Sequence, residues 1–137
     1  MNRSKYNVKK ATKIAKLAYQ WCENRFGHPL KTAICEFKVS QDKRVSQMLG
    51  YYMEREIKIF VHNTKSYSEV MRTVIHEYTH YLQMPKLSDN SKYCKLDEKY
   101  GYFDNPMEVE ARDSEAIYIG TCKSYVYSKL QKSKKKY

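Results

Sequence analysis

Residues 66–84 read Ser-Tyr-Ser-Glu-Val-Met-Arg-Thr-Val-Ile-His-Glu-Tyr-Thr-His-Tyr-Leu-Gln-Met. Ser66 followed three residues later by Glu69 is a capping box, and Val70, Met71, Val74, Ile75, Tyr78 and Leu82 keep a helical period up to Pro85. A helix is predicted from about Tyr67 to Met84. From Thr73 onward its only ionisable side chains, apart from tyrosines, are His76, Glu77 and His80. Such a composition suits a buried helix that presents a few polar groups at the floor of a cleft.

His76-Glu77-Tyr78-Thr79-His80 is an H-E-x-x-H motif. Helix positions four apart lie on one face, so two imidazoles at this spacing can converge on a single Zn2+. Glu77 is offset around the helix and reaches the attacking water rather than the metal, the place of a general base that later passes the proton to a leaving amine. A catalytic zinc needs a third protein ligand. No histidine follows His80, and His28 and His62 precede the helix beside a turn and at a strand end. A carboxylate is therefore expected.

Asn105-Pro106-Met107-Glu108 opens a last helix with an N-cap, a proline at the first position and a glutamate at the third. In that frame Glu108 bonds back to the cap and faces solvent with Arg112 and Glu115, making it the alternative ligand. Glu110 shares a face with Ala111, Ser114, Ile117, Tyr118 and Thr121, the small and apolar side, and is the expected third ligand. Asp113, one turn on, is a candidate acceptor for the second ring nitrogen of a ligating histidine. Among the tyrosines, Tyr78, Tyr81, Tyr100 and Tyr102 stand near the motif or in the segment before this helix, and none is singled out as an oxyanion donor.

Outward from the motif, Ala11, Ile14, Ala15, Ala18, Trp21, Cys22 and Phe26 recur three or four apart and predict an amphipathic helix over Tyr6–Phe26, stopped by Gly27 and Pro29. Leu30 to Val39 alternates as a strand. Gln47 to Met53 and Glu56 to His62 read as a hairpin around Glu54-Arg55. Lys86 to Asp104 is polar and non-periodic and is expected to be a long loop bordering a site. The last helix is expected to end near Tyr127. The fold class is therefore α+β: an N-terminal helix, a small three-stranded and mainly antiparallel sheet, the H-E-x-x-H helix, and a C-terminal helix carrying the third ligand.

With 137 residues, one domain is expected, over 1–128, followed by a basic, disordered tail over 129–137. The formal net charge is +11, and Arg3, Lys5, Lys9, Lys10, Lys13 and Lys16 precede the first acid, Glu23. Lys129, Lys132, Lys134, Lys135 and Lys136 crowd the end. Such ends favour non-specific, salt-sensitive contact with nucleic acid. No stretch is apolar enough for a membrane span, lysines interrupt any signal-like core, and a cytoplasmic protein is expected. Cys22, Cys35, Cys94 and Cys122 lack C-x-x-C spacing and read as reduced thiols.

His76-Glu77-Tyr78-Thr79-His80 followed by Asn105-Pro106-x-Glu108-x-Glu110-Ala111 resembles the minimal zinc metallopeptidases of gluzincin type, particularly the small ImmA/IrrE-type and SprT-like proteins common in phages and bacteria. The resemblance spans about Ser66 to Ile119. It implies a zincin-like fold, one Zn2+ held by His76, His80 and Glu110, Glu77 as catalytic acid and base, and a protein or peptide substrate laid beside the sheet edge. The chain lacks the later histidine and C-terminal cysteines of SprT-like proteins and the Leu-Met-Pro ending of many ImmA/IrrE-type ones. The expected function is zinc-dependent peptide hydrolysis. The alternative is a basic nucleic-acid-associated or phage accessory protein with a structural or vestigial zinc site.

Overall fold

The computed structural model describes residues 6–31 and 33–134. Arg3, Lys5, Lys135 and Lys136, part of the two basic ends, lie outside them. The elements run α1 (Val8–Phe26), β1 (Glu36–Ser40), β2 (Gly50–Met53), β3 (Glu56–Phe60), α2 (Tyr67–Gln83), α3 (Asn90–Asp104) and α4 (Pro106–Lys134), with short 3-10 turns at Val61–Asn63 and Leu87–Asp89.

Helix α1 forms as its periodicity requires: Asn7 Oδ1 accepts from Lys10 N at 3.1 Å, and Ala11, Ile14, Ala15, Ala18, Trp21 and Cys22 are buried. It ends at Gly27, whose φ of 72° gives the backbone a turn that other residues seldom adopt. Helix α2 begins at Ser66, whose hydroxyl accepts from Glu69 N at 3.1 Å, while Glu69 Oε1 accepts from Lys65 N at 2.7 Å. Its buried side chains face three ways, against α1, against β2 and β3, and against α4.

The sheet has the order β1-β3-β2 and is mixed, not mainly antiparallel: β2 pairs antiparallel with β3, and β1 pairs parallel with it. The hairpin places β2 on one side of β3, so β1 takes the other edge after residues 41–49 cross the sheet. That crossing is pinned where Val45 O accepts from His62 Nε2 at 2.9 Å and Met48 O from Asn63 Nδ2 at 2.7 Å. Strand β1 is also shorter than its alternation suggests. Its register runs only from Glu36 opposite Glu56 to Ser40 opposite Phe60, so residues 33–35 have no strand to pair with.

Residues 86–104 are not a loop. They form a 3-10 turn and α3, which buries none of its side chains and is kinked at Gly101, φ 79°. A helix with nothing to bury carries no hydrophobic period. Helix α4 passes the expected end at Tyr127 and continues to Lys134; the rest of the expected tail, 135–137, lies outside the described residues. The buried apolar positions of α4, Met107, Ala111, Cys122 and Val126, complete the core with Ile14, Ile57, Ile59, Val74, Tyr78 and Tyr81.

The hairpin turn is suboptimal, because Glu54 and Arg55 both hold positive φ, 49° and 63°. This backbone favours Asn-Gly. The double substitution Glu54→Asn, Arg55→Gly should raise stability by about 0.5–1 kcal/mol. Urea unfolding of the two proteins measures it, and a lower midpoint for the variant would contradict the turn assignment.

Candidate metal centre

One turn of α2 sets His76 above His80, with ring centroids 4.9 Å apart. The first turn of α4 crosses them. Its entry is fixed by Asn105, which is fully buried: Oδ1 accepts from Met107 N at 2.9 Å and Nδ2 donates to Tyr93 O at 3.3 Å. This cap ties α3 to α4 and turns Glu108 inward, where it is 3% exposed.

Glu108 Oε1 lies 2.9 Å from His76 Nε2 and 3.2 Å from His80 Nε2. Its other oxygen accepts from the Tyr93 hydroxyl. The second ring nitrogens are also occupied: Glu115 Oε2 stands 2.6 Å from His76 Nδ1, and Gln83 Oε1 2.8 Å from His80 Nδ1. Acceptors on both Nδ1 atoms hold a proton there and aim both Nε2 atoms at one point.

Donor atoms around one tetrahedral ion at 2.0–2.1 Å are about 3.3 Å apart. The atoms offered by His76, His80 and Glu108 all lie within 4.8 Å of one another, so one metal ion fits the group. Two imidazoles and a carboxylate are donors for a borderline transition metal rather than for Ca2+ or Mg2+.

The charges are strongly coupled. Burial opposes protonation of His76, but hydrogen bonds to Glu108 and Glu115 outweigh it and push its pKa up to about 10. His80 is raised in the same way by Glu108 and Glu77 against its burial. Burial alone would raise Glu108, yet its bonds from His76, His80 and Tyr93 hold it well below the usual carboxylate range. Glu77 is raised by burial, and its carboxylate hydrogen-bonds to no described group.

The site opens into a cleft of about 1060 Å³. The edge strand β2, from Gly50 to Met53, forms one wall, and Tyr93, Tyr102 and Phe103 form the other. Arg112 lies over the Phe103 ring at 4.2 Å and donates to the Phe103 carbonyl.

Of the residues expected to act, the structure brings together His76, Glu77 and His80 and leaves two aside. Glu110, the expected third ligand, is exposed, and its Oε1 accepts from Gln83 Nε2 at 2.6 Å. Asp113 is exposed as well. The inward face of α4 is rotated by about a quarter turn from the expected one: Ile117 is 67% exposed, while Met107, Ala111, Cys122 and Val126 point inward and carry Glu108 and Glu115 with them. That i, i+7 pair of acids beside a spacing of three and four was the readable signal. Glu108 does not bond back to its cap, because Asn105 N donates to Tyr102 O instead.

Gln83 and Tyr93 gave no signal. Tyr78 and Tyr81 are buried on the far side of α2, where their hydroxyls reach the Gly27 carbonyl and, at 2.7 Å, His28 Nδ1. Tyr100 does not line the cleft, whereas Tyr102 does. His28 is held between Tyr81 and Glu23, and His62 by Val45, both away from the centre. All four cysteines are free.

Against known proteins, the chain matches no family, no curated protein and no solved structure.

Two outcomes follow for a cation probe. Glu108→Ala should abolish Co2+ binding followed by its d–d absorption, whereas Glu110→Ala should keep one equivalent; the reverse pattern would overturn the ligand set. Because a cation must displace the protons that the raised pKa values keep on His76 and His80, affinity should rise between pH 6 and pH 8. About tenfold per pH unit is expected for each histidine that loses a proton. An affinity independent of pH over that range would contradict the coupling.

Proposed function

We propose that the chain is a zinc-dependent metallopeptidase of zincin-like build. The observation that carries this reading is the convergence of His76 Nε2, His80 Nε2 and Glu108 Oε1 on one point, with the unengaged Glu77 carboxylate in the same cleft. His76, His80 and Glu108 would hold the zinc, which when bound supplies a Lewis acid and lowers the pKa of water.

The chain's own residues supply the rest. Glu77, raised by burial, is poised to take a proton from the attacking water and return it to the leaving amine. Tyr102, which lines the cleft beside Glu108, offers a hydroxyl within the same space. Glu115 holds the His76 ring through Nδ1.

The cleft's charge favours a polypeptide over a nucleic acid. Although the chain carries +11, five carboxylates line the cleft, Glu54, Glu69, Glu77, Glu108 and Glu115, against Arg72, Lys86 and Arg112. Even with His76 and His80 protonated, the cleft has no positive excess to draw in a phosphate backbone. Met48, Met53, Tyr102 and Phe103, all exposed, give its walls large apolar side chains suited to an extended peptide. Lys9, Lys10, Lys13 and Lys16 of α1 and Lys129 and Lys132 of α4 are exposed and line no part of the cleft. They support a second, accessory role in salt-sensitive contact with nucleic acid.

The decisive comparison is Glu77→Gln with His80→Ala, each assayed for bound zinc and for cleavage of a quenched fluorogenic peptide library. Glu77→Gln should keep one zinc and lose hydrolysis by about 10²–10⁴-fold. His80→Ala should lose both. Proteolysis at the wild-type rate by Glu77→Gln would sink the proposal.

A further inference from the structure

Gln83 is the last residue of α2, and its side chain bridges to α4. Nε2 donates to the Met107 carbonyl at 3.0 Å and to Glu110 Oε1 at 2.6 Å, and Oε1 faces His80 Nδ1 at 2.8 Å. The two ends of an amide are distinguished by their partners. Here both partners on one end, a carbonyl and a carboxylate, can only accept, so that end must be the nitrogen. The oxygen therefore faces the imidazole. An oxygen at that place accepts, so Nδ1 keeps a hydrogen, and the proton that Nε2 shares with Glu108 Oε1 is the one a cation displaces.

We infer that Gln83, oriented by Glu110, is a positioning residue that sets the tautomer and ring direction of His80. Glu110 thus belongs to the centre two hydrogen bonds away from the imidazole, not as a ligand. The two histidines are held differently. His76 has the carboxylate of Glu115 on Nδ1, while His80, which lies within the field of Glu77 and Glu108, has a neutral amide. An amide orients the ring without adding a further negative charge to a buried cluster that already holds three carboxylates.

The inference rests on the metallopeptidase reading, and zinc affinity, measured by chelator competition beside thermal midpoints, tests it without needing hydrolysis. Gln83→Met, which removes the acceptor, should weaken zinc binding about 10–100-fold. Glu110→Ala, which frees the amide to turn, should weaken it about threefold, one bond further out. Gln83→Glu keeps an acceptor on Nδ1 but sets its second oxygen against Met107 O and Glu110. It should melt lower yet bind zinc within about threefold of wild type.

Affinity that follows the acceptor and not the melting temperature supports the positioning role. Wild-type affinity in Gln83→Met would overturn it. So would parallel loss of affinity and stability in Gln83→Met and Gln83→Glu, which is what a purely structural clamp between α2 and α4 predicts. A wild-type chain that binds zinc and cleaves nothing would overturn the peptidase reading alone; one that binds no zinc would overturn both.

Discussion

The carboxylate of Glu108, buried to 3% exposure between two imidazoles, is the constraint around which the second half of the chain is arranged. An ionised carboxylate in such a place is costly unless nearly every lone pair is used. Its two oxygens accept from His76 and His80 of α2 and from Tyr93 of α3. Tyr93 requires α3 to cross the site although that helix buries none of its own side chains. Asn105 requires the α3–α4 junction to be closed and dry, and Glu115 requires α4 to run on along α2 in register with its first turn.

Helix α2 bears this arrangement because it is buried on all sides but one. Tyr78 and Tyr81 anchor its inner side to the end of α1 and the start of the strand region, through Gly27, His28 and Cys35. With that face tied down, its rotation is set, and His76, Glu77 and His80 are left facing the cleft. A rigid helix suits such a task better than a loop, since donor atoms must be held to within a fraction of an ångström. The protons and a cation then compete for the same two nitrogens. The hydrogen bonds that stabilise the cluster without metal are the ones a cation replaces.

The distribution of charge separates the two surfaces of the molecule. Lysines occupy the outer sides of α1 and α4, while carboxylates gather in the cleft. A strongly basic chain can thus keep a cleft without its positive excess, because net charge is a sum over the surface and chemistry depends on the local field.

Local interactions made much of this legible in the residues. The caps at Ser66 and Asn105, the three-and-four spacing in α1 and α2, the Glu54-Arg55 turn and the pairing of His76 with His80 all involve residues within a turn of one another. Their geometry follows from the backbone period alone. The direction of β1, the existence of α3 and the inward face of α4 depend on partners distant in the chain. Nothing in Lys86 to Asp104 repeats, because α3 has no core to face. Glu108 and Glu110 are two residues apart and chemically alike, so only the rotation of α4 about its axis chooses between them. That rotation is decided by Cys122 and Val126 packing into the core and by Asn105 sealing the helix start, contacts that exist only once the chain has folded.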